Sequence, residues 1–243
     1  FSYRSNLPVG DLLVRRIPVT MSLVFGAVVL WLAIGIPIGI ASAKRPGSVR
    51  DRLGQAFAIV GISFPTFVLG MIALYALYFL PAKMGVTLFP PSGYVPFTEN
   101  PAQWIWHLVL PWLTLAMVIA AVYARLTRGQ MLDVLGQDYI RTARAKGLTE
   151  RRVIYVHAFR SAMPPLVTQL GIDIGMLLGG VIVIEQVFGL QGVGSLAVTS
   201  VAMQDRPVVI AIVLLGGLFV VLSNLIVDLL YAMLDSRVRT ARK

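Results

Sequence analysis

The sequence predicts an all-α protein that crosses a membrane several times. Of its 243 residues, 57% are hydrophobic and only 13% are charged, and the mean hydropathy is +0.81. A soluble domain carries about twice that share of charged residues. The apolar residues form five runs, each about long enough for a helix that crosses a hydrocarbon core of about 30 Å. In lipid, a single run of this length can satisfy its own backbone polar groups only as a helix.

We expect one membrane domain over residues 1–243. Gly35, Pro37 and Gly39 predict a kink in the first apolar run, and Pro65, within residues 63–66, predicts a bend in the second. Residues 191–207 are polar and long enough to form a short helix or to dip back into the membrane. Tryptophans at the start of the third run, Trp104, Trp106 and Trp112, fit an interfacial belt. The predicted segments are an N-terminal stretch 1–17, spans 18–43, 53–80, 104–126, 163–188 and 208–234, a polar loop 127–162 and a tail 235–243.

Lysine and arginine are concentrated on one predicted side of the membrane. The loops 44–52 and 125–163 and the C-terminal tail carry most of them. The opposite side carries Lys83 and Arg206, with Arg4, Arg15 and Arg16 ahead of the first span. The positive-inside rule therefore predicts that the basic loops and the C-terminus are cytoplasmic. Five spans then place residue 1 outside.

The longest polar interruption, residues 137–165, predicts two helices joined by a sharp turn. Asp138 is expected to cap a short first helix, and Gly147 to end it in a left-handed conformation. Thr149 is expected to cap the second helix, with Glu150 in its first turn, where a negative charge suits the helix dipole. The pattern therefore indicates an ordered loop.

Within this loop, residues 141–147 read RTARAKG and resemble the E-A-A-x-x-x-G loop of binding-protein-dependent ABC importer permeases. The motif's Glu and first Ala are Arg141 and Thr142 here, and the distance from Gly147 to Pro164 is longer than in the generic pattern. The preceding Asp-Tyr pair and the following His-Ala-Phe-Arg segment, residues 157–160, most resemble the dipeptide/oligopeptide/nickel branch. The resemblance extends from about Ser2 to about Arg239.

The resemblance implies a permease subunit of an ATP-driven importer in the bacterial inner membrane, with di- or oligopeptides as the expected substrates. Longer peptides, nickel chelates and related small compounds also remain open as substrates. The implied partners are a second homologous permease, two cytoplasmic ATPases that hold ATP and Mg²⁺, an extracytoplasmic substrate-binding protein and membrane lipid. Whether the permease partner is a different chain stays open, although the branch implies it. The resemblance also implies a further N-terminal span, so a sixth helix is expected before Phe1.

Catalytic and cofactor chemistry are not expected in this chain itself. It has no cysteine and only two histidines, His107 and His157, which fall on opposite predicted sides of the membrane. No Gly-rich phosphate loop with a following Lys occurs, so the chain is not expected to bind ATP. The basic residues sit at the ends of apolar runs without interleaved aromatic residues, so nucleic-acid binding is not expected either.

The resemblance identifies the short helix as a coupling helix that docks in a groove on a cytoplasmic ATPase. Tyr139, Ile140 and Ala143 are then expected to form the apolar contact. Arg141, Arg144 and Lys146 would pair with acids on the ATPase, and Gly147 would supply the turn. The alternative is an ordinary basic loop that binds anionic lipid, worth about 1 kcal/mol per cation. The full expected set is Asp138, Tyr139, Ile140, Arg141, Ala143, Arg144, Lys146 and Gly147.

Acidic residues in apolar runs are costly and mark candidate functional positions. Asp173 is expected either to line the translocation path, where it would attract a peptide ammonium group, or to hydrogen-bond to another helix. For Glu185 the resemblance implies a position at an outer gate, and the alternative is a solvated loop carboxylate. Asn224 and Asp228 share one helix face and are expected to form a structural polar pair.

Gly171, Gly175 and Gly179 fall four residues apart and predict a helix-packing ridge, because small residues let helix backbones approach closely. A rival function is a secondary transporter driven by an ion gradient, with Asp173 and Asp228 carrying the coupling ion. Such transporters usually show internal repeats, and no repeat is evident in this sequence. A membrane enzyme is disfavoured because no nucleophile, base and acid set is recognisable.

Overall fold

The computed structural model describes residues 1–90 and 93–234. Within these ranges the chain is helical, with turns and loops but no strand, and the predicted all-α fold is confirmed. Two short π-helical segments, Tyr75–Phe79 and Val153–Ala158, interrupt the α-helices. The α-helices are α1 (Val9–Lys44), α2 (Val49–Ser63), α3 (Thr66–Leu74), α4 (Leu80–Lys83), α5 (Pro101–Leu135), α6 (Asp138–Ala145), α7 (Glu150–Arg152), α8 (Phe159–Val187), α9 (Val193–Ala202) and α10 (Arg206–Leu234).

Four helical stretches are long and apolar enough to cross a membrane, and the bent stretch that contains α8 makes a fifth when its two arms count as one span. The four are Val9–Lys44, Thr66–Lys83, Pro101–Leu135 and Arg206–Val227. They follow the predicted spans in order. The segment 191–207 contains the short helix α9, one of its two predicted alternatives, but this helix is apolar and not polar as expected.

The second predicted span, 53–80, is divided in the structure. Helix α2 ends at Ser63, Pro65 is extended with φ −59° and ψ 139°, and α3 begins at Thr66. Proline has no amide hydrogen to donate, which favours a helix start at this point. The predicted bend is confirmed, and the apolar crossing stretch begins at Thr66, not at residue 53.

The first helix differs from its prediction. Helix α1 runs without interruption over 36 residues, or about 54 Å, through Gly35, Pro37 and Gly39. It begins at Val9, within the predicted N-terminal stretch 1–17, and not at residue 18. The expected kink does not break the helix, since neighbouring helices can compensate for a proline inside a membrane helix.

Contacts divide the chain into two compact units. The first unit comprises Phe1–Leu30, Phe64–Val118 and Ile174–Val221. The second comprises Trp31–Ser63, Ile119–Asp173 and Leu222–Lys243, described up to residue 234. Helices α1, α5, α8 and α10 each contribute residues to both units.

In the first unit, α1 packs on the start of α5 through tryptophan. The indole Nε1 of Trp112 donates to the Ser22 carbonyl at 2.9 Å, and that of Trp104 donates to Ser22 Oγ at 3.1 Å. A Cβ on Gly26 would come within 2.0 Å of Trp112 Cε2, so only glycine fits there. Trp112 is therefore a core residue and not the interfacial residue expected, whereas Trp106 is half exposed.

In the second unit, α1 and α5 approach through two glycines one turn apart. A Cβ on Gly35 would lie 2.7 Å from the Ala120 carbonyl oxygen, and one on Gly39 would lie 2.5 Å from Thr127 Cβ. Trp31 packs beside Tyr123 with ring centroids 6.1 Å apart, and both side chains are fully buried. Close backbone approach of this kind is typical of helix pairs in membranes.

Candidate coupling and translocation sites

The short helix α6 starts one residue earlier than the predicted cap implies. The N-cap position is Gln137, in an extended conformation and without a side-chain capping bond, so Asp138 is the first helical residue. The prediction that Asp138 caps the helix is wrong. At the other end, Gly147 has φ +77°, the left-handed conformation that was predicted. Thr149 occupies the N-cap position of α7, as predicted, but its hydroxyl makes no capping bond.

The apolar side of α6 packs into the second unit. Ile140 is fully buried and Ala143 is 9% exposed, and both belong to a core cluster with Ile40 and Val153. Of the three apolar residues expected to contact an ATPase, only Tyr139 is exposed, at 47%. The expectation for Ile140 and Ala143 is therefore corrected, because their side chains hold α6 onto its own chain.

The cations of α6 differ in their surroundings. Arg144 Nη2 donates to Glu150 Oε1 at 2.9 Å and its Nε to Oε2 at 3.2 Å, so this arginine already pairs with an acid of α7. The guanidinium lowers the pKa of the Glu150 carboxyl. Arg141 Nη1 lies 3.5 Å from Asp138 Oδ1, with both side chains largely exposed, and such pairs contribute little. Arg141 and Lys146 remain on the exposed surface of α6.

A buried ion pair lies in the same unit, and sequence reasoning missed it. Asp51 is 1% exposed, and Arg128 grips it with two bonds, Nε to Oδ1 at 2.6 Å and Nη2 to Oδ2 at 2.9 Å. The Gly47 amide donates to Oδ2 at 2.8 Å. The Arg128 guanidinium holds the pKa of the Asp51 carboxyl well below its usual range. The sequence feature that could have indicated this ion pair is Asp51, the single acidic residue in the basic loop 44–52.

Asp173 makes one bond within its own helix. Its Oδ1 accepts from Gln169 Nε2 at 2.9 Å, a bond within α8, and the Tyr123 hydroxyl of α5 lies next to the same carboxyl group. Among the residues that the structure describes, neither the Asp173 Oδ2 nor the Tyr123 hydroxyl, both buried, has a hydrogen-bond partner. The indole Nε1 of Trp31 and the hydroxyl of Thr127 are also buried and unpartnered. The second unit thus contains several buried polar groups with unused bonding capacity.

Glu185 is fully buried, so the alternative of a solvated loop carboxylate is wrong. One carboxylate oxygen accepts from Thr20 Oγ1 at 2.6 Å, and the other accepts from the Ser195 amide at 2.8 Å. The Val193 amide donates to Thr20 Oγ1 at 2.8 Å. Because α9 begins at Val193, Glu185 and Thr20 together satisfy amides of its first turn. They join α1, α8 and α9 within the first unit.

The predicted glycine ridge on α8 has unequal contacts. A Cβ on Gly171 would lie 3.0 Å from Val227 Cγ1, whereas one on Gly175 would lie 3.8 Å from Val220 Cγ1, an ordinary contact. The surroundings of Gly179 and of Asp228, the partner proposed for Asn224, lie outside the described residues. Tighter contacts occur at Gly26, Gly35 and Gly39 of α1.

Residues 35–240 match the family described as binding-protein-dependent transport system inner membrane component. The chain belongs to this family. It is 40% identical over 240 residues to a putative peptide transport system permease protein of Brucella abortus, covering 98% of this chain and 74% of the relative. It is 40% identical over 237 residues to the oligopeptide transport system permease protein AppB of Bacillus subtilis, covering 97% and 73%. The glutathione transport system permease protein GsiC of Salmonella typhimurium is 43% identical over 235 residues, with 97% and 72% covered.

Among solved structures, an inward-facing conformation of the MetNI methionine ABC transporter has the same fold. The TM-score is 0.72 at 21% identity, and the match covers 94% of this chain and 98% of that one. The chain is therefore an inner-membrane permease component of an ABC importer with the type I permease fold. The predicted family resemblance is confirmed.

Proposed function

We propose that this chain forms half of the translocation path of a peptide importer and converts ATP hydrolysis on partner subunits into alternating access. The observation that carries the proposal is α6, a short charged helix with one face packed in the second unit and the other exposed. The names of the similar permeases from Brucella abortus, Bacillus subtilis and Salmonella typhimurium support a peptide-type substrate.

The exposed face of α6 docks in a groove on a cytoplasmic ATPase. Tyr139 provides the apolar contact, and Arg141 and Lys146 face acidic side chains of the ATPase. Ile140 and the Arg144–Glu150 pair tie α6 to its own chain, so that displacement of α6 moves α7 and the helix that continues from it. The binding of α6 to the ATPase is thereby linked to the membrane helices.

The complete transporter contains a second homologous permease, two cytoplasmic ATPases and an extracytoplasmic binding protein. The ATPases hold ATP and Mg²⁺, while this chain is a non-catalytic subunit without a cofactor of its own. The distribution of lysine and arginine supports a cytoplasmic position for α6 and for the C-terminal tail.

Asp173 lines the path in the conformations that admit substrate. The support is its unpartnered Oδ2 beside the unpartnered hydroxyl of Tyr123, because buried polar atoms without partners are costly and rare. Glu185, whose two oxygens are already bonded, acts at the outer gate by holding α9 in place and not by meeting substrate.

The variant Gly147→Val tests the coupling role. A β-branched residue at φ +77° costs about 1–2 kcal/mol and displaces the end of α6. We expect ATP hydrolysis to continue while peptide uptake by the reconstituted transporter falls severalfold, with assembly largely intact. Gly129→Val is the matched control, since a Cβ there meets nothing within 4 Å and its backbone is helical. Unchanged uptake in Gly147→Val would contradict the coupling role.

The unpaired carboxylate oxygen of Asp173 also favours the rival function, a secondary transporter driven by an ion gradient. Proteoliposomes separate the two functions. Peptide uptake that requires ATP and is not supported by an imposed ion gradient supports the importer. Uptake that is driven by the ion gradient alone and is abolished by Asp173→Asn would instead support the secondary transporter.

A further inference from the structure

The first unit contains a cavity with a mixed polar and apolar lining that has no role in the proposed function. Its volume is about 830 Å³, within the range of small-molecule sites, about 300–1,000 Å³. Its walls are the start of α1, the loop around Tyr94 and the loop before α9. It is lined by Asp11, Arg15, Arg16, Tyr94 and Gln191, among others.

Among the described residues, the charged side chains of this cavity make no ion pair within 4.0 Å, and Arg16 lies within electrostatic range of the buried Glu185 carboxylate. Within residues 1–90 and 93–234, neither Arg15 nor Arg16 lies within 4.0 Å of a carboxylate oxygen, and Asp11 has no cationic partner. Arginine binds carboxylates through two parallel hydrogen bonds, which makes it the preferred residue for this anion. The cavity therefore offers two guanidinium groups and one carboxylate to the same ligand.

The walls of the cavity are held by hydrogen bonds. The Tyr94 hydroxyl lies 3.1 Å from Ser22 Oγ, which also accepts from Trp104. The loop before α9 is fixed by the Leu190 amide, which donates to the Glu185 carbonyl at 2.8 Å. A site on fixed elements loses less conformational entropy when a ligand binds.

We propose that this cavity binds short zwitterionic peptides, with the C-terminal carboxylate on Arg15 and Arg16 and the N-terminal ammonium on Asp11. Asp11 and Arg15 are one helical turn apart, or about 6 Å along the axis. The two ends of an extended dipeptide are about 7 Å apart. The site thus matches both the charges and the length of a dipeptide. The proposal rests on the proposed function, since it names the substrate class of the importer.

The distribution of basic residues predicts that the start of α1 is extracytoplasmic. The cavity would therefore receive peptide before it passes into the membrane. An anionic lipid headgroup could also bind two arginines, but it has no ammonium positioned for Asp11. The dipeptide is therefore the occupant that the cavity favours.

The test is binding of radiolabelled Ala-Ala to the purified full transporter in the absence of the binding protein, by equilibrium dialysis. The competitors are unlabelled Ala-Ala and its C-terminal amide. We expect the wild-type transporter to bind Ala-Ala about tenfold more tightly than its C-terminal amide. A charge-assisted hydrogen bond contributes about that much to affinity. The double variant Arg15→Gln/Arg16→Gln loses the preference. Arg4→Gln, which changes an exposed cation of the same segment outside the cavity, keeps it.

Arg15→Lys/Arg16→Lys preserves the charge and guards against misfolding, and we expect it to retain part of the preference. The proposal is overturned if the double Gln variant keeps the full preference, or if Arg4→Gln loses it equally. The same measurement is repeated with the transporter in lipid vesicles. The proposal is also overturned if binding there depends on phosphatidylglycerol and not on the peptide carboxylate. Failure of wild-type transporter to take up any peptide with ATP would instead overturn the proposed function.

Discussion

Three carboxylates in this permease have three different environments. Asp51 forms an ion pair with Arg128, and Glu185 accepts a hydrogen bond from the first turn of α9. One oxygen of Asp173 has no hydrogen-bond partner among the described residues. The sequence identifies the last two as unusual because a carboxylate in an apolar run is costly. It does not identify the residues beside them, since Thr20 is far from Glu185 in the chain and Tyr123 is far from Asp173. The sequence does not single out Asp51, because an acidic residue in a basic loop is common.

Removal of the Asp51 charge should destabilise the permease. Asp51→Asn leaves the Arg128 guanidinium without its ion pair, at a cost of about 3 kcal/mol at neutral pH. The measurement is thermal unfolding of the assembled transporter in detergent. Asp133→Asn is the control, because that side chain is exposed and should change stability by less than about 0.5 kcal/mol.

The same variant makes a prediction about pH. The folded-state pKa of Asp51 is lowered from an ordinary value of 3.8, so the carboxylate stabilises the fold fully above that value. This stabilisation is lost as the pH falls toward the lowered pKa. The difference in stability between wild type and Asp51→Asn should therefore shrink below about pH 4 and stay constant from pH 5 to 8. A difference that is equally large in acid would show that the ion pair is not its cause.

At the scale of elements, α6 shows what local sequence can and cannot predict. Its turn at Gly147 follows from the glycine, and its position in the chain follows from the polar run. The direction of its apolar side does not follow, because the core that receives Ile140 contains Ile40 and Val153 from other parts of the chain. In the sequence, a short apolar helix face that contacts a partner protein has the same pattern as one that packs against its own chain.

Two alanine variants separate these possibilities for α6. Ile140→Ala removes a fully buried side chain and should cost about 2–5 kcal/mol of stability. Tyr139→Ala removes a half-exposed one and should leave the unfolding temperature nearly unchanged while ATPase copurifies less well. Thermal unfolding and quantitative copurification report the two effects independently. Equal destabilisation by both variants would contradict the division of α6 into an inner and an outer face.

At the scale of the whole molecule, hydropathy was enough to predict the class and the order of the crossing helices. The pairing of helices was not predicted, because lipid-facing and helix-facing residues are equally apolar. The sequence predicts a kink at Gly35 and Gly39, whereas in the structure these two glycines allow α1 to pack closely against α5. The ridge that was predicted for packing, beginning at Gly171, makes looser contacts. Small residues indicate close approach but do not show which partner approaches.

The whole transporter should be recovered with this chain. A tagged version purified in mild detergent is expected to bring a second permease and two ATPase chains, identified by mass spectrometry. The ATPases should be lost first when salt is raised, because the contacts proposed for the exposed face of α6 are mainly ionic and would be screened by salt. Recovery of the chain alone, in a form that still moves solute down an ion gradient, would contradict the importer.

The glycine contact between α1 and α5 also has a thermodynamic consequence. Apolar contacts that remove surface from water weaken on cooling. Helices in lipid gain little from that source and associate through van der Waals packing, and at Gly35 and Gly39 the packing brings backbone against backbone and side chain. This contact should therefore keep its strength in the cold, so that low temperature slows the movements of the importer without loosening this pair of helices.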